Sequence, residues 1–140
     1  MENLNLEDIL ETAKLAASES AKVITPYFNK ERLNTKIKSD NSLVTEADIA
    51  SGKASRKIIR GRFPNHGIMA EEGEETNPYS HKYLWVIDEL DGTANFANRI
   101  PYFAASVGFA INGVPTIGAV ALPNAVYEQG GKIRLEWNLI

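Results

Sequence analysis

The chain has 140 residues, a length that suits one domain with a sizeable core. Hydrophobic residues make up 44% and charged residues 24%, ordinary globular usage that excludes disorder and fibrous repeats. The net charge of −3 leaves no basic footprint for nucleic acid, and the lack of cysteine excludes disulfide scaffolds, thiol nucleophiles and Cys-ligated zinc. A mild acidic excess suits a site that holds cations, and equally serves solubility. Met1-Glu2-Asn3-Leu4 places no basic stretch before an apolar run, so no signal peptide is expected. No run approaches the length of a membrane span. The expectation is a cytoplasmic protein with neither nucleic acid nor membrane as partner.

Asn5 caps a first predicted helix, with Glu7 and Asp8 in its first turn. Ile9, Leu10, Ala13, Ala16, Ala17, Ala21, Ile24 and Phe28 form its apolar stripe, and Pro26 is expected to end or kink it near Thr25. The polar stretch Asn29 to Ser42 reads as a connection with a short strand at Thr35–Lys38. Thr45-Glu46-Ala47-Asp48 resembles a capping box opening a second helix. Its inner face is expected at Ile49, Ala54, Ile58, Ile59 and Phe63, and Pro64-Asn65-His66-Gly67 closes it.

Beyond this point the apolar period changes from about 3.6 to 2. Gly67–Ala70 is a short strand leading into Glu71-Glu72-Gly73-Glu74-Glu75, of which Glu74 and Glu75 read as a solvated loop. Asn77–His81 is a loop, and Tyr83–Asp88 is a strongly apolar strand. A helical turn fits Thr93–Asn98, and Phe103–Ile111 and Val114–Leu122 pair across Asn112-Gly113. Pro123-Asn124 reads as a turn into Val126–Glu128, and Gly130-Gly131 as a turn into a half-buried strand, Lys132–Ile140. Trp85 and Phe109 read as core aromatics, His66 and His81 as surface residues, and Arg99 as either surface or anion-facing.

The chemistry concentrates in Asp88-Glu89-Leu90-Asp91-Gly92-Thr93. A strand delivers Asp88, a tight turn brings Asp91 beside it, and amides at Gly92, Thr93 and Ala94 offer an anion site. Two carboxylates beside an anion require cations between them, and oxygen ligands favour Mg2+ over zinc. The alternative is a capped turn in which Gly92 supplies a positive φ. An EF-hand and an aspartyl-nucleophile D-x-D motif both fail on spacing. Glu71, directly after a short strand, could meet Asp88 across the sheet. Asp48, taken alone, reads as a helix-capping residue.

Leu43–Asp48, Ala70–Glu72, Trp85–Phe96, Ile100–Gly108 and Gly118–Val120 together resemble the inositol monophosphatase family of Mg2+-dependent, lithium-sensitive phosphatases. The resemblance runs from the first helix to about Glu128. It implies that Glu71, Asp88 and the carbonyl of Leu90 bind one Mg2+, that Asp88 and Asp91 bind a second, and that Glu71 helps hold a third. It further implies that Thr93, partnered by Asp48, positions and deprotonates the attacking water, and that the amides of Gly92 and Thr93 hold the phosphate. The implied substrate is a small phosphorylated metabolite such as inositol monophosphate. Nucleotide 3′-phosphatase, fructose-bisphosphatase and histidinol-phosphatase specificities stay open, and family members are commonly homodimers.

Three departures stand out. Glu89 replaces the family's usual proline, members are about twice this long, and the likeness ends after Glu128. A truncated gene, a frame-shifted tail or a split product would each account for the last two. The expected fold is therefore α+β, a single domain over residues 1–140. Two N-terminal helices pack on one face of an antiparallel sheet, as in the first half of the family's layered sandwich. A non-catalytic remnant that binds metal or a partner is the competing expectation.

Overall fold

In the computed structural model, which describes residues 3–41, 43–72, 77, 80–131 and 133–140 and Leu43 only in its backbone, helix α1 spans Leu6–Phe28. The Asn5 side chain caps it by accepting from the Glu7 amide at 3.0 Å. The helix passes through Pro26 rather than ending there. Proline removes one hydrogen bond, to the carbonyl of Lys22, and Lys22 lies on the solvent side where water can replace it. The helix ends instead at Phe28, where Arg99 donates to the carbonyls of Tyr27 (3.3 Å) and Phe28. Arg99 thus caps a helix C-terminus and does not face an anion.

Strands β1 (Thr35–Ile37) and β2 (Leu43–Thr45) form a small antiparallel pair. Thr45 then caps α2 (Glu46–Arg62) in the expected capping box with Asp48. The buried face of α2 keeps the expected Ile59, with Ile58 and Phe63 partly buried against the core, but otherwise it is Ala47, Asp48, Ser51, Gly52 and Ser55, and Ile49 is 43% exposed. Ser51 and Ser55 bury because backbone carbonyls accept their hydroxyls, Glu89 O at 2.8 Å and Ser51 O at 2.9 Å. Small residues on both helices let α1 and α2 approach closely.

The main sheet runs in the order β3 (Gly67–Ala70), β4 (Tyr83–Asp91), β5 (Ala104–Ile111), β6 (Val114–Tyr127) and β7 (Ile133–Leu139). It is antiparallel as expected except at β3·β4, which is parallel. A parallel pair needs a crossover of about a dozen residues, which residues 71–82 provide. Asn112 (φ 50°) and Gly113 (φ 79°) make the expected hairpin. Pro123 does not turn the chain, because β6 continues through it. Backbone bonds at Val120 and Ile140 fix the β6·β7 register, so position 123 directs its nitrogen away from β7, on the side where β5 has ended.

Both helices cover the same face of the sheet, α1 over β5, β6 and β7 and α2 over β4. Between the layers lies the core, with Trp85, Phe28, Phe96, Phe109, Ile9, Ile24 and Ile59 fully buried. The expected alternation of β7 holds at Ile133, Leu135 and Trp137, but Leu139 and Ile140 are exposed. His66 is a correction: it is 3% exposed, accepts from the Trp85 indole at 3.1 Å and stacks on Phe63. His81 is half-buried against Gly67. The loop expected at Glu74 and Glu75 lies outside the described residues. Among the described residues no helix is long and apolar enough to cross a membrane.

Two substitutions test this packing. Trp85→Ala empties the core beneath α2 and is expected to cost about 3–5 kcal/mol, read as a lower urea midpoint. Arg99→Ala frees the last carbonyls of α1 and is expected to cost about 1 kcal/mol, measured the same way.

Candidate metal and phosphate site

The site forms where β3 and β4 end on the same side of the sheet. Parallel register sets Ala70 opposite Ile87, so Glu71 follows beside Asp88, and the Glu71 amide donates to Ile87 O at 3.1 Å. Past Asp88, β4 does not turn as expected but continues with a bulge. Asp88 pairs with Ser106 and Asp91 with Ala104, leaving one extra residue on β4. The bulge buries Glu89 and Leu90 in succession and leaves Asp91 exposed.

Glu71, Asp88 and Glu89 each offer a carboxylate oxygen, all within 4.8 Å of one another. Asp91 stands outside that group, close enough for its charge to act on Asp88. Burial, followed by a hydrogen bond with Glu71 and the charges of Glu71, Asp91 and Glu89, pushes the Asp88 carboxyl up to about 7. Glu89 is also pushed up to about 7, chiefly by burial. Asp88 Oδ1 is buried with no hydrogen-bond partner among the described residues. Crowded carboxylates and an orphaned oxygen suit a cation, and a donor set made only of oxygens suits a hard divalent one.

Lys38, on the β1–β2 connection, reaches this edge: its ammonium lies 2.7 Å from Glu72 and 3.7 Å from Glu71. The hydrogen bond to Glu72 raises its pKa. Arg56 of α2 donates to the Glu72 carbonyl at 2.7 Å and sits 3.5 Å from Glu89. Lys38, Glu72 and Arg56 escaped the sequence-based set. No local pattern marks them, because each meets the site through residues distant in the chain.

Gly92 follows β4 with φ 86° and opens helix α3 (Thr93–Ala97). A Cβ there would stand 2.9 Å from the Tyr102 carbonyl, so the close turn requires glycine. The Thr93 hydroxyl lies 2.9 Å from Asp48 Oδ1 and 3.0 Å from the Leu90 carbonyl. Asp48 is 2% exposed, and its Oδ2 accepts from the Thr45 amide at 2.8 Å and from the Thr45 hydroxyl. Desolvation raises its pKa against those hydrogen bonds. Asp48 therefore caps α2 and meets Thr93 at once. Rings of Phe28, Phe96 and Phe103, 4.9–5.6 Å apart, seat α3 against α1 and β5. A cleft of about 530 Å3 opens beside Asp91 and Gly92, walled by Asn95, Tyr102 and Pro123.

The sequence-predicted residues thus fall into two touching groups, Glu71 with Asp88 and Asp48 with Thr93, joined through Leu90, Asp91 and Gly92. The model of the inositol monophosphatase family matches residues 5–132. The chain is 42% identical over 112 residues to the chloroplastic phosphatase IMPL1 of Arabidopsis thaliana, covering 80% of this chain and 30% of that protein. It is 35% identical over 135 residues to the Nus factor SuhB of Pasteurella multocida, covering 91% and 51%. The inositol monophosphatase structure from Anabaena (Nostoc) sp. PCC 7120 superposes with a TM-score of 0.70 at 34% identity, over 93% of this chain and 48% of that one. The chain spans about half the length of such relatives, or less. With the two-layer fold, the family match and this identity in hand, the chain belongs to the inositol monophosphatase family.

Proposed function

We propose that these 140 residues form the N-terminal, metal-binding part of an Mg2+-dependent phosphatase acting on a small phosphomonoester such as inositol monophosphate. One observation carries the reading. Glu71 and Asp88 converge, with Asp88 Oδ1 buried and lacking a donor among the described residues, directly beside the Thr93–Asp48 pair.

In this reading Glu71, Asp88, Asp91 and the Leu90 carbonyl hold Mg2+. Bound there, Mg2+ supplies Lewis-acid polarisation of the phosphoryl oxygens and relieves the repulsion among the carboxylates. Thr93 directs its proton toward Asp48 or Leu90, which leaves a lone pair free to accept from a water. Asp48 lies behind Thr93, and its raised proton affinity makes it a stronger base than a solvated carboxylate. The amides of Gly92 and Thr93, at a helix start without a side-chain cap, face the phosphoryl group. The neighbouring cleft has the volume of a small-molecule site.

A second reading, a metal-binding portion without turnover, draws support from the share of its relatives that the chain spans. Phosphate release from inositol monophosphate and other small phosphomonoesters, with and without Mg2+, separates the two. The phosphatase reading expects Mg2+-dependent release that a chelator abolishes, whereas binding without release supports the second. Asp88→Asn is expected to lower Mg2+ affinity at least tenfold, as measured by calorimetry. Thr93→Ala is expected to lower kcat on the order of 100-fold while moving KM little, which steady-state kinetics reads directly.

A further inference from the structure

Glu89 has no part in the chemistry proposed above, yet its side chain is almost wholly buried. Its carboxylate oxygens accept from the Glu72 amide at 3.1 and 3.3 Å. Arg56 Nη1 lies 3.5 Å from the same carboxylate and donates to the Glu72 carbonyl at 2.7 Å. On the α2 side, Gly52 leaves the necessary space: a Cβ there would stand 2.9 Å from both Cγ and Oε1 of Glu89. The Glu71 amide is already tied to β4 through Ile87. Glu71 therefore has its own amide and the following amide both anchored to β4, one by a sheet bond and one by a buried side chain.

We propose that Glu89 is a positioning residue: it holds the Glu72 amide against the β4 bulge, with Arg56 closing the other side, and so sets the place of the Glu71 carboxylate beside Asp88. The proposal rests on the metal reading of the site. Although Glu89 lies within 4.8 Å of Glu71 and Asp88, its oxygens are engaged by the Glu72 amide and Arg56. It acts as a brace behind the ligands and not as one of them.

Mg2+ binding measured by calorimetry on the full 140-residue chain tests this, alongside hydrogen exchange of the Glu72 amide without metal. Glu89→Ala is expected to weaken Mg2+ binding about tenfold or more and to speed Glu72 exchange. Glu89→Gln keeps an acceptor for that amide and is expected to stay within roughly threefold of the unsubstituted chain in both measurements. Gly52→Ala displaces the carboxylate with its charge intact and is expected to behave like Glu89→Ala. Should Glu89→Ala fail to fold, Gly52→Ala and Arg56→Ala carry the same comparison. Unchanged Mg2+ affinity in Glu89→Ala overturns the brace and leaves the metal reading standing. Equal losses in Glu89→Gln and Glu89→Ala overturn it in favour of direct ligation. No Mg2+ uptake by the unsubstituted chain overturns the metal reading itself, and the brace with it.

Discussion

The extra residue in β4 is the constraint on which the site depends. From Trp85 to Asp88 the strand alternates, with Trp85 and Ile87 in the core and Val86 exposed. Continued alternation would carry positions 89 and 91 to the core side as well. The bulge between Asp88 and Asp91 breaks that phase, so Leu90 fills the core and Asp91 emerges beside Gly92. One inserted residue thus gives a carboxylate in the sheet edge, a second inside the protein and a third facing the cleft. Each has a different environment: Asp88 is half-buried, Glu89 fully buried and Asp91 exposed.

The helices contribute by holding polar groups where the bulge requires them. Asp48 and Ser51 on α2 face β4 and α3, so the start of one helix and the exit of a strand share hydrogen bonds. That arrangement is tolerable because the buried side-chain oxygens of Asp48 and Ser51 have defined partners. Phe96 of α3, packed on Phe28 and Phe103, completes the mounting by fixing the short helix that Thr93 opens. Apolar packing sets distance here, and hydrogen bonds set orientation.

Features governed by neighbouring residues were legible in the sequence. The Asn5 and Thr45 caps, the Asn112-Gly113 turn, the short turn after Gly92 and the meeting of Glu71 with Asp88 all follow from chemistry within a few residues or from adjacent strand ends. Features governed by distant partners were not. Pro26 looks like a helix stop, but its cost depends on whether the lost carbonyl faces water. His66 looks like a turn residue until Trp85 and Phe63 are folded around it. Ser51 looks solvent-facing because its acceptor, the carbonyl of Glu89, lies far along the chain. The parallel pairing of β3 with β4 is hidden for the same reason, since a crossover carries no local mark. Glu89 was visible as an additional acid, but its partners Arg56 and the Glu72 amide were not.

The two tryptophans have a consequence of their own. Trp85 gives its indole proton to His66 beneath α2, and Trp137 gives its own to Thr25 on α1, 2.8 Å away. Each fluorophore is anchored to a separate stretch of the molecule, one near the acidic edge and the other at the far border strand. Emission from single-tryptophan versions would therefore report separately on whether the two ends loosen together or in turn as the chain is denatured.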